Sequence, residues 1–168
     1  MRRAARHTSC LAALILLGLA GCAREDEAAQ RARLAAWVSL GETVSFEAQA
    51  GCAVGVYALV SDEVKSALPL TDSVPAMRRA IADRGAAAVR LPGQGADRVL
   101  VAMANHHRET GMAMRRAALE ARACMDDAAE GQFRRALDQP GTVVAWDANA
   151  GMLALMVPGA GRIVAVTG

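Results

Sequence analysis

Met103, His107 and Met114 are the side chains whose types and spacing most nearly describe a metal site. They stand at i, i+4 and i+11, on one side of a helix, with Met112 nearby. Thioether and imidazole ligands suit Cu(I), so copper is the cofactor this set would bind. Methionines at helical spacing also fill cores, with a histidine tucked in at the edge. Exposure separates the two outcomes: a core stripe is buried against a sheet, whereas a transfer site needs an open edge.

Other candidate groups are weaker. His106 and His107 are adjacent, and neighbouring helix positions point ~100° apart, so the pair cannot converge on one metal. Asp126, Asp127 and Glu130 cluster, but acids at a helix start are what the helix dipole favours. LPGQGADR, from Leu91 to Arg98, has two glycines before a helix, yet Arg98 stands where a dinucleotide fingerprint wants a third. A loop with an Asp97 cap accounts for it better. DANAG (Asp147 to Gly151) suggests a calcium loop, but its Gly comes one position early and Pro158 replaces the closing Glu. A hairpin turn fits. No HExxH and no nucleophile elbow occurs. The chain reads as non-enzymatic.

The chain opens with Arg2, Arg3 and Arg6, continues through an apolar run from Leu11 to Ala20, and closes it with Gly21 and Cys22. A basic start, a short apolar segment and small residues at its end make a secretory signal peptide. The run falls well short of the ~20 residues a membrane-spanning helix needs. Leu19-Ala20-Gly21-Cys22 closely resembles the lipobox of bacterial lipoproteins. That resemblance implies cleavage after Gly21 and lipid attachment to Cys22. It also implies an outer-membrane destination on the periplasmic side, because Ala23 replaces the Asp that favours inner-membrane retention. Several acyl chains give durable attachment where one would be marginal.

Loss of residues 1 to 21 removes three of the 19 basic residues and none of the 17 acidic ones. The mature chain of 147 residues then carries a net charge of −1, and the basic pI belongs to the signal peptide. No footprint for nucleic acid remains. Of the four cysteines, Cys10 leaves with the signal and Cys22 takes the lipid. Cys52 and Cys124 are left, and two thiols in an oxidising periplasm suggest a disulfide. Two separate buried thiols are the bland alternative.

The elements that would position these groups can be read in outline. Residues 22–36 are polar and rich in helix formers, so they form a tether or short helix ahead of a single domain at 37–168. Thr43 to Gln49 alternates, Ala50-Gly51 turns, and Ala53 to Val60 returns as a hairpin. A helix starts near Ser73-Pro75 and stops at Gly85, followed by a short strand within Ala86–Leu91. Asp97 to Met125 is helical, with Gly111 a possible divider. A helix capped at Asp126 or Asp127 runs to Leu137. Thr142–Trp146, Met152–Val157 and Arg162–Val166 form a three-stranded meander. The expected fold is α+β: an antiparallel sheet, made of hairpin and meander, packed against central helices. In shape alone this resembles PAS-like or profilin-like sensor domains.

These readings predict a membrane-anchored envelope lipoprotein that binds another envelope component. A small-ligand sensor, with an apolar pocket between sheet and helices, and a copper-binding protein are the alternatives.

Overall fold

Where the sequence alternates, one strand face is wet; where it runs continuously apolar, both faces are covered. The structure, a computed structural model describing residues 25–168, follows that distinction. Helix α1 (Glu27–Trp37) leads into a long hairpin of β1 (Val38–Gln49) and β2 (Cys52–Val64). Strand β3 (Leu70–Thr71), helix α2 (Val74–Arg84) and strand β4 (Ala86–Val89) come next. Helices α3 (Ala96–His106), α4 (Arg108–Glu120) and α5 (Asp127–Asp138) follow, with a 3-10 turn at Ala121–Cys124 before the last. The chain ends in β5 (Val143–Asp147), β6 (Met152–Val157) and β7 (Arg162–Thr167).

The seven strands among the described residues join one sheet, in the order β1-β2-β7-β6-β5-β4-β3. Hairpin and meander are both present, and β7 pairs with β2 to unite them. The α+β class holds, but the sheet is mixed and not purely antiparallel, because β3 runs parallel to β4. Two residues are too few to show alternation, so Leu70–Thr71 leaves no periodic signal. The outer strands also resist pairing with strangers. Strand β3 is very short, and β1 departs from regular register three times between Val38 and Ser45. Bulges and brevity both blunt a sheet edge.

Helices α2 to α5 lie on one face of the sheet. There Met77, Met103, Met114 and Phe133 pack with Val54, Trp146, Leu153 and Val164. Helix α1 lies on the other face, where Leu34 and Trp37 join Tyr57, Met156 and Ile163. Covering both faces is why MLALMV is buried at every position. The segment expected as a tether or short helix is helical from Glu27 to Trp37 and, instead of standing ahead of the domain, packs into its core through Leu34 and Trp37.

Local chemistry sets the boundaries. Asp26 caps α1, its Oδ1 accepting from Ala29 N–H at 2.7 Å, and Asp126 does the same for α5 through Ala129 N–H. Gly85 ends α2 with φ +79°, a conformation that costs glycine little. In DANAG, Asp147 Oδ1 accepts from the N–H groups of Asn149 and Ala150, which makes the segment an Asx turn between β5 and β6.

Candidate functional site

The helical stretch from Asp97 breaks at His107, not at Gly111. His107 closes α3 by donating its N–H to Met103 O at 2.7 Å, and it opens α4 as the N-cap. Its Nδ1 accepts from Thr110 N–H at 3.3 Å and sits 2.9 Å from the Thr110 hydroxyl. The i, i+4, i+11 spacing therefore does not lie along one continuous helix. Met103 and Met114 are both 0 % exposed in the core against the sheet, and His107 is half-buried with Nδ1 engaged. His106 is exposed, and Met112 is 42 % exposed on α4. Among the described residues, no group of three His, Cys, Asp or Glu could hold a metal. His107→Ala should cost about 1 kcal/mol through loss of the cap, and His107→Asn should recover most of it. Urea melts of the two variants check this.

Cys52 and Cys124 are joined in a disulfide, with Cα atoms 6.0 Å apart. Cys52 begins β2 and Cys124 ends the 3-10 turn, so the bond ties the sheet to the helical layer. Both are largely buried. Cys22 lies outside the described residues. Among those that are described, no helix is long and apolar enough to cross a membrane.

Two neighbouring depressions mark the outer surface of the helical layer, and they share Asp97 and Leu137. The first, of about 440 Å³, is formed by the LPGQG loop against the end of α5. There a Cβ on Gly95 would come within 2.6 Å of Leu137 O, so that glycine permits close packing of loop on helix. The second, of about 260 Å³, lies between α3, α4 and α5. Leu100, Ala118, Phe133 and Leu137 supply its apolar floor, and Arg115, Arg122 and Arg134 its cationic rim. Leu119, 64 % exposed, stands at the edge.

Glu130 organises the rim. Arg134 approaches its carboxylate at 2.7 Å and Arg122 at 3.1 Å. The Arg134 hydrogen bond, then its charge, and then Arg122 hold the Glu130 carboxyl below its ordinary 4.5. A carboxyl depressed on folding stabilises above its unfolded value. That contribution fades as pH falls through the lower, folded one. Arg115 takes no part in this network, so its guanidinium is available to a partner.

A second polar feature lies on the opposite face of the sheet. Gln30 of α1 is 0 % exposed, and its Oε1 accepts from the Tyr57 hydroxyl at 2.8 Å. Burial, reinforced by the Glu27 carboxylate, raises the Tyr57 hydroxyl well above its ordinary value and keeps it protonated. Gln30 Nε2 is buried without a hydrogen-bond partner. Leaving such a donor unpaired costs ~1–3 kcal/mol.

Neither the groove nor this glutamine is visible as a motif, because each is assembled from separate elements. No protein-family model, curated protein or solved structure matches the chain.

Proposed function

We propose that the chain is a non-enzymatic lipoprotein, anchored through Cys22 at the periplasmic face of the outer membrane, that binds another envelope component. The observation that carries this reading is the α3–α4–α5 groove, with its apolar floor, its cationic rim and the exposed Leu119 beside it. An exposed apolar surface rimmed by polar groups marks an interaction site. At about 260 Å³ and open to solvent, it suits a segment of a protein partner better than an enclosed small ligand. Between sheet and helices, where a sensor would hold its ligand, Met77, Met103, Met114, Phe133 and Trp146 pack with 5 % exposure or less. Orientation supports the same reading. Cys22 stands four residues before the Asp26 cap of α1, a reach of ~14 Å, and α1 lies on the sheet face opposite the groove. An anchor attached at that end of α1 would leave the groove free to meet a partner.

Two experiments test the halves of this proposal. Cys22→Ser should abolish lipid labelling and leave unprocessed precursor or a soluble species; a processed, acylated membrane protein would defeat the anchor. For the groove, a photocrosslinker at Met125, which lines it, should trap one discrete envelope partner in cells. The pair Leu119→Asp and Arg115→Glu should cut that adduct at least tenfold while leaving the melting curve in place. An adduct of undiminished yield would show that the groove is not the contact.

A further inference from the structure

We infer that the α3–α4–α5 groove seats an acidic amphipathic helix of a protein partner. This rests on the groove reading above and names the chemistry of its occupant. Helix α4 forms the long wall. Met112, Arg115 and Leu119 follow Arg108 at i+4, i+7 and i+11, so the four share one side of the helix within ~60°. All four are exposed. Arg115 and Leu119 line the groove, and Arg108 and Met112 continue the same ridge beyond it. The two acids of α4, Glu109 and Glu120, each come one residue later and point ~100° further round. Glu120 lies beside Gly168, just past β7. The ridge therefore alternates cation and apolar group, while the carboxylates of α4 face elsewhere.

Charge sets the sign of the occupant. Arg115, Arg122 and Arg134 line the groove against Asp97 and Glu130. Glu130 is already held by Arg122 and Arg134. Asp97 stands in the first turn of α3, where the helix dipole offsets its charge. Arg108 and Arg115 make no ion pair among the described residues. The surface is thus cationic, although residues 22–168 hold 16 basic and 17 acidic side chains and are net negative. Exposed arginines without an internal partner favour carboxylates from outside, and such complementarity steers encounter and fixes register.

Spacing sets its conformation. Met112 to Leu119 and Arg108 to Arg115 are each seven residues, or ~10.5 Å along α4. A second helix repeats one side at that same interval. Its apolar residues at i and i+7 meet Met112 and Leu119, while carboxylates between them reach the arginines. In a strand, ~10 Å spans three residues, and side chains three apart point to opposite faces. A flat bilayer surface does not fit either, because the floor at Ala118 and Leu137 is recessed between three helices. The apolar edge of a helix reaches it.

The test uses the full chain in its native envelope, with a photocrosslinking residue at Met125 and peptide mapping of whatever it traps. The trapped segment should be net negative, with apolar residues seven apart. Arg115→Glu should lower the yield at least tenfold. Arg116→Glu, the same charge change pointing ~100° away, should lower it less than twofold. Arg108→Glu, outside the lining but on the ridge, should repeat the loss. Replacing a mapped acid of the partner by Arg should restore the Arg115→Glu adduct. A segment without net negative charge, or equal yields from Arg115→Glu and Arg116→Glu, overturns the acidic helix and leaves the groove reading standing. Adducts with phosphatidylglycerol, or with the hairpin of a second copy around Glu42 and Glu63, overturn it in favour of those occupants. No adduct of any kind at Met125 overturns the groove reading and this proposal with it.

Discussion

Reduction of the Cys52–Cys124 disulfide should lower the melting temperature by about 10 °C. The bond closes a loop of 72 residues, for which the chain-entropy account gives up to ~4 kcal/mol. About 3 kcal/mol is a fair expectation once residual order in the reduced chain is allowed for, and in a chain of this size each kcal/mol moves the midpoint by ~3 °C. The position of the bond matters as much as the loop length. It joins the first residue of β2 to the turn after α4, so the two layers can separate only by opening the sheet as well. Calorimetry of oxidised protein, reduced protein and Cys52→Ala/Cys124→Ala checks the claim. Equal midpoints in all three would show that the bond stabilises nothing.

Gly111→Ala should destabilise the domain by about 2 kcal/mol, although alanine is the better helix former. The intrinsic gain in a helix interior is ~1 kcal/mol. Against it, a Cβ at Gly111 would overlap the backbone of Ala104 on α3, with the Ala104 Cβ itself only 2.8 Å away. Helices α3 and α4 would have to move apart, disturbing Met103 and Met114 beneath them. Gly131 on α5 is the control: a Cβ there meets nothing within 4 Å. Gly131→Ala should therefore stabilise by ~0.5–1 kcal/mol. Opposite signs for the same substitution, measured by denaturant melts, are the expected result. Two gains would mean that the helix contact yields easily.

Those two glycines also mark how far sequence reasoning reaches. The hairpin and the meander are legible because Ala50-Gly51, DANAG and PGAG interrupt apolar runs, and turn chemistry is local. The cap at Asp126 and the stop at Gly85 are legible for the same reason. Gly111 carries a strong local signal of helix breaking, but its role is to let another helix come close, a relation between elements that no local rule contains. His107 breaks the helix with no preference to announce it, since imidazole is an unusual cap. Gln30 reads as one more polar residue in a polar helix. Only the docking of α1 turns it inward against Tyr57. The groove floor draws Leu100, Ala118 and Phe133 from three different helices, so it exists only once they have packed.

The pairing of β7 with β2 has a consequence for how the chain folds. Val54 meets Val166, a partner ~110 residues away, and this seam alone joins the hairpin to the rest of the sheet. Until it closes, β2 and β7 each present an open edge, and Val54 and Val56 lack their cross-strand neighbours. The hairpin can form early from local contacts, but it cannot dock before the helices and the meander are made. Closing that seam is the late, long-range step that should govern the folding rate. A chain stalled short of Arg162 would leave one edge of β2 and one edge of β6 open, which is the form most inclined to aggregate.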